Sequence, residues 1–183
     1  MGTLTIPDEK TCYELLHKYC TPYHIVRHSE TVLQVGKLLG EALLRREHRV
    51  DMDLIKASCL LHDIGKYPCI IEGGGHHDIR GEEILGREGF HSVGRIIVQH
   101  VVLRTTKYQP VAEEHLVYYA DKRVVHDEVV SLVERFLYLQ RTYGKDSAAL
   151  RFIADMKEEA ERVEQEIFLL LDFSPDDISG LVS

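Results

Sequence analysis

Leu60-Leu61-His62-Asp63-Ile64-Gly65-Lys66 is the stretch that decides how this chain folds. It closes a run from Leu54 to Ile64 in which only Lys56, Ser58, His62 and Asp63 are not apolar. A helix with so little polar surface must be covered on most sides, so the run predicts a central helix. Asp51 or Asp53 is placed to cap its start, and Gly65 is expected to stop it after Ile64. A histidine and an aspartate side by side at the end of a buried helix are costly unless they are paired or hold a cation. Taken alone, they also fit a hydrogen-bonded structural pair.

Working outward, Pro7-Asp8 offers a helix start before Cys12, Leu15, Leu16 and Tyr19, after a loose arm over residues 1–7. Thr21-Pro22 ends that helix. A longer one follows, with Ile25, Ser29, Val32, Leu33, Gly36, Leu39, Gly40 and Leu43 on one stripe. His28 stands beside this stripe, whereas His24 and His48 read as surface residues and residues 45–49 as a solvated helix end. Beyond the central run, Tyr67 to His77 contains Pro68 and Gly73-Gly74-Gly75, which predicts a mobile loop without regular structure. It lacks the Gly-Lys-Ser/Thr ending of a phosphate-cradling loop.

A helix is expected to begin around Ile79, with Gly81, Ile84 and Leu85. A shorter one carries Val93, Ile96, Ile97 and His100, which puts His100 on the apolar face. Residues 104–110 form a polar connection. Ala112 to Ala120 is again helical and runs into Asp121. Val129, Val133, Phe136, Leu137 and Gln140 predict one more helix, stopped near Gly144. The last long helix spaces Ala149, Ile153, Met156, Ala160, Val163, Ile167 and Leu170 as an amphipathic stripe. It is expected to be a lid on this chain's own core, with a homodimer seam as the alternative. No segment shows the alternation of a sheet, so the fold class is all-α.

The chain has 183 residues, enough for one domain with a helical extension and a sizeable core. With 30 acidic against 22 basic residues and a net charge of -8, it repels polyanions, which argues against duplex nucleic acid as a partner. No apolar run is long enough to span a membrane and no secretion signal opens the chain, so the expected address is the cytoplasm. Cys12, Cys20, Cys59 and Cys69 are too scattered for a zinc knuckle or a disulfide framework and read as reduced thiols. The 11 histidines are many for this length.

His28, His62, Asp63, His77, His100 and Asp121 each lie at a helix end or on an apolar face. All are nitrogen or carboxylate donors with no thiolate among them. Such a set suits Fe, Mn, Co, Ni, Zn or, less well, Mg. One octahedral ion cannot use all six and keep an open position, so six ligands point to two ions sharing a carboxylate, for which Asp63 is the candidate.

In these residues the chain resembles the HD-domain superfamily of metal-dependent phosphohydrolases. The likeness lies in the order His28-x-x-x-Val32, then Leu61-His62-Asp63-Ile64-Gly65-Lys66, then Ala120-Asp121-Lys122, over roughly residues 22–140. His77-x-x-x-Gly81-x-x-x-Leu85 followed by His100 is similar to the HDIG-type subgroup whose extra histidines bind a second metal. The resemblance implies an all-α HD bundle around the central helix, with a C-terminal extension over about residues 146–173. It also implies His28, His62, Asp63 and Asp121 on one ion and His77 and His100 on the second, with His76 as competitor to His77. Fe or Mn are the first choices of metal.

Family members commonly carry a basic residue just after the His-Asp pair that contacts phosphate, which makes Lys66 a catalytic candidate beside Asp63. A cation at a helix C-terminus is its plain alternative. Arg80 and Arg104 are further candidates for phosphate oxygens. The expected activity is hydrolysis of a phosphate ester or anhydride on a small molecule, a nucleotide first. A di-iron oxygenase and a non-catalytic nucleotide sensor are the alternatives.

Overall fold

The computed structural model describes residues 5–104 and 110–182. The start of the expected N-terminal arm and most of the connection over residues 104–110 lie outside the described residues. Helix α1 (Glu9–Lys18) starts where Asp8 accepts a hydrogen bond from the Thr11 amide at 2.8 Å. Helix α2 (Tyr23–Arg45) follows Pro22 and buries Ile25, Val32, Leu33, Leu39 and Leu43 along one face. Helix α3 (Met52–Leu61) is the central helix. Asp51, and not Asp53, caps it, accepting from the amides of Asp53 and Leu54 at 3.0 and 3.1 Å. It packs against α1 and α2 and against two later helices, α6 (His91–Ile97) and α7 (Glu113–Lys122), so Ile55, Cys59, Leu60 and Leu61 are fully enclosed.

The central helix ends at Leu61, earlier than its apolar run suggested. Residues 62–65 form tight turns instead, with Ile64 N donating to Leu61 O and Lys66 N to Asp63 O, both at 3.0 Å. Gly65 is therefore not a left-handed stop. Its φ is -78°, open to any residue. Glycine is needed there because a Cβ would stand 2.1 Å from the His77 carbonyl oxygen and 2.7 Å from the Gly81 amide nitrogen. The turn is pressed directly against α5 (His77–Arg87).

The loop expected from Tyr67 to His77 is a second correction, since α4 occupies Lys66–Ile71. Pro68 falls in the first turn of that helix, where no intrahelical amide bond is lost. Only the glycines behave as the breaker signal implied, with φ of 91°, 119° and 123° at Gly73, Gly74 and Gly75. Helix α5 then starts at His77, before Ile79.

The all-α fold is present, with one addition. Strands β1 (Val124–Val125) and β2 (Glu128–Val129) pair antiparallel, Val124 opposite Val129. Val129 thus belongs to a hairpin and not to the helix that follows. Two-residue strands are too short to show alternation. The hairpin turns through His126, whose φ is 56°. Helix α8 (Leu132–Tyr143) opens with a reciprocal Ser131 and Glu134 cap. Helix α9 (Ser147–Phe168) packs on α7 and α8, burying Ile153, Ala160, Val163 and Ile167 over this chain's own core. A 3-10 turn (Pro175–Asp177) and α10 (Ile178–Leu181) finish the fold, tied in by Arg123, which donates to the Pro175 carbonyl at 3.0 Å. Among the described residues no helix is long and apolar enough to cross a membrane.

Candidate metal centre

His28 lies in α2, His62 and Asp63 in the turn after α3, His77 at the start of α5, His100 just beyond α6 and Asp121 near the end of α7. Three of the imidazoles are oriented the same way. His28 Nδ1 lies 2.8 Å from the His126 carbonyl, His62 Nδ1 2.8 Å from that of Cys59, and His100 Nδ1 2.6 Å from that of Ile97. A carbonyl can only accept, so each Nδ1 carries the proton and each Nε2 presents a lone pair. The left-handed His126 is what aims its carbonyl at His28.

The lone pairs converge on two adjoining spaces. His28, His62 and Asp121 bring ligand atoms within 4.8 Å of one another, and so do Asp63, His77 and His100. Asp63 faces both groups. Its Oδ2 lies 3.3 Å from His62 Nε2 and 4.0 Å from His28 Nε2, while its Oδ1 lies 3.5 Å from both His77 Nε2 and His100 Nε2. His77 occupies the second space, whereas His76 is exposed at the cap position of α5.

Ligand atoms crowd together here. His28 Nε2 meets Asp121 Oδ1 at 3.1 Å and His77 Nε2 meets His100 Nε2 at 3.1 Å. His62 Nε2 and Asp63 Oδ1 are buried with no hydrogen-bond partner. Orphaned acceptors at such distances cost free energy unless protons or cations stand between them. The donor set, its enclosure and its convergence therefore fit divalent cations.

Positive side chains surround the two carboxylates. Lys66 Nζ lies 2.5 Å from Asp63 Oδ2. Lys122 Nζ bridges Asp121 Oδ2 at 2.8 Å and the His100 carbonyl at 2.7 Å, over the Tyr118 ring. Arg135 Nη2 lies 3.5 Å from Asp121 Oδ1. Burial would raise both carboxyl pKa values, yet the cations beside them, Lys66 at Asp63 and Lys122 at Asp121, help hold both well below the ordinary range. Burial, and then His100, push His77 down to about 4, and burial lowers His100 as well. Both stay neutral ligand donors at ordinary pH.

Arg80 is bound to Glu72 and, at 3.0 Å, to Glu83. Arg104 is exposed, with its backbone amide on Gln99 Oε1 at 3.2 Å. Neither is joined to the six side chains by any hydrogen bond or ion pair among the described residues. Lys122 and Arg135 are, and sequence reasoning passed over both. Lys122 reads as a helix-end cation. Arg135 carried a usable signal, since it stands three residues after Leu132 and beside Phe136 on the buried face of α8.

The sequence model of the HD domain matches residues 25–125. A tRNA (cytidine(56)-2'-O)-methyltransferase of Thermoplasma volcanium is 35% identical over 97 residues, 52% of this chain and 26% of that protein, so the chain spans about a quarter of the methyltransferase. An uncharacterised protein of Methanocaldococcus jannaschii is 28% identical over 165 residues, covering 79% of this chain and 92% of its own length. No solved structure matches.

Proposed function

This chain belongs to the HD-domain family, and on that premise we propose that it hydrolyses a phosphate ester or anhydride of a small molecule, a nucleotide in the first instance. The site is read as HDIG-type, with two divalent cations, Fe or Mn before Ni, Co, Zn or Mg. One observation supports this above the others: Asp63 turns one oxygen toward the His28, His62 and Asp121 group and the other toward His77 and His100. His28, His62, Asp121 and Asp63 Oδ2 would hold the first ion. Asp63 Oδ1, His77 and His100 would hold the second.

Bound there, the ions supply Lewis acidity and a water acidified toward neutrality. The chain's own residues supply the rest. The carbonyls of His126, Cys59 and Ile97 fix three rings, so no reorientation is needed when a substrate arrives. Lys122 turns Asp121 by its outer oxygen and leaves Oδ1 facing the cavity. Lys66, more than a third exposed, is placed to exchange its Asp63 contact for a phosphoryl oxygen. The methyltransferase's name refers to tRNA, but with a net charge of -8 a small phosphorylated substrate suits this chain better than an RNA duplex.

Protein loaded with Mn or Fe should release phosphate from an aryl phosphate or from some nucleotide in a broad screen. His62→Ala and Asp63→Ala should each abolish release. Activity surviving in both variants rejects the assignment. So does oxygen consumption by the ferrous form without phosphate release.

A further inference from the structure

Arg135 is almost enclosed, with its side chain only 12% exposed, yet among the described residues its Nε is buried with no hydrogen-bond partner. The single ion pair of the group among these residues is the 3.5 Å contact of Nη2 with Asp121 Oδ1. A guanidinium has five N–H donors in a planar fork, and leaving them unused in an enclosed place is costly. Lys122 shows the contrast, since a carbonyl, a carboxylate and an aromatic face satisfy it. Nε of Arg135 is the buried cationic donor at this site without an acceptor of its own.

The charge count points the same way. Three cations, Lys66, Lys122 and Arg135, stand against two carboxylates, Asp63 and Asp121. These five side chains thus sum to plus one (3 − 2) before any metal adds to that charge. A site with that surplus favours a multiply charged anion. A terminal phosphate, with a second pKa near about 6, carries close to two charges at neutral pH, whereas a phosphodiester carries one.

We propose that Arg135, together with Lys66, forms the subsite that grips the terminal, doubly charged phosphate of the substrate, so that monoesters and terminal anhydrides are taken in preference to diesters. The assignment rests on the hydrolase reading above and deepens it. The fork of Arg135 takes two phosphate oxygens side by side, and Lys66 takes a third as a point charge.

The test is equilibrium binding of inorganic phosphate, and of dimethyl phosphate as the singly charged comparator, to the Mn-loaded full chain. Wild type is expected to bind phosphate much more tightly than dimethyl phosphate. Arg135→Gln should weaken phosphate binding by about tenfold or more, the loss expected for a charge-assisted pair. Arg135→Lys should fall between, and Mn content should be unchanged in both. If Arg135→Gln does not fold, Arg135→Lys against wild type carries the comparison.

Unchanged phosphate affinity in the variants overturns the proposal. So does equal binding of the two anions by wild type, or loss of Mn from Arg135→Gln, which would make the arginine a positioning residue for Asp121. The two readings fail separately. Phosphate binding that depends on Arg135 without turnover of any ester removes the hydrolase and leaves the subsite, while turnover indifferent to Arg135 does the reverse.

Discussion

His77 Nε2 and His100 Nε2 stand 3.1 Å apart, and His100 has already committed its proton at Nδ1 to the Ile97 carbonyl. Two ring nitrogens brought this close, with Asp63 Oδ1 3.5 Å from each, form one half of a paired cage. The halves should separate by mutation. On the proposed two-ion reading, His77→Ala is expected to lower bound metal from two ions per chain to one, and Asp63→Ala to remove both. Metal analysis after dialysis reads the difference, and equal losses in the two variants would contradict a shared carboxylate.

His77 also sets a pH window. Its pKa is held at about 4 in the fold against 6.5 for the free side chain, so between these values the unfolded chain binds a proton that the folded chain does not. Stability from this group is complete above pH 6.5 and drains away as pH falls toward 4. The metal-free protein should melt at a lower temperature at pH 5 than at pH 7. His77→Asn should shrink that gap, and an unaltered gap would exclude His77 as its source. Metal affinity at His77 should hold across that window and decline only as pH falls through about 4, where the folded imidazole takes up a proton and can no longer coordinate.

Gly65→Ala tests the pressed turn. The added methyl would meet the His77 carbonyl at 2.1 Å, so the backbone of α5 must move. The expected loss is at or above the usual overpacking cost of about 1–3 kcal/mol, read by denaturant unfolding. Metal at the His77 and His100 position should go first, since that displacement begins at His77.

Ile167→Ala probes the lid. The side chain is fully buried on α9, and its truncation should cost about 2–5 kcal/mol while leaving metal content intact. Melting should not depend on protein concentration in either form. Dependence on concentration would mean that the helix face belongs to a subunit seam.

The parts of the fold readable from sequence are those whose cause is local. The apolar run before His62 forces enclosure whatever surrounds it, Asp8 and Asp51 cap helices by accepting from amides two or three residues on, and the stripe of α9 repeats on its own. Two local signals were outweighed. Pro68 and three glycines argued against a helix over residues 66–71, but a proline in the first turn breaks nothing and the glycines lie beyond it. Gly65 was given the wrong reason, because the pressure on it comes from α5 and not from its own backbone angle.

For the candidate site, the six converging side chains stood out by residue type. Their oriented lone pairs did not. Those depend on carbonyls at His126, Cys59 and Ile97, which no residue type reveals. Arg135 reaches Asp121 only because α8 folds back after the hairpin, a relation between positions 14 apart (135 − 121) through structure that the chain's pattern concealed.

Lys66 and Arg135 belong to α4 and α8, and neither helix contributes an imidazole or carboxylate to the cage. If Lys66 and Arg135 hold the substrate as proposed, choice of substrate and retention of metal are vested in separate parts of the chain. Exchanges on α4 or α8 can redirect the protein toward other anions, in the laboratory or by descent, without rebuilding the centre that would do the chemistry.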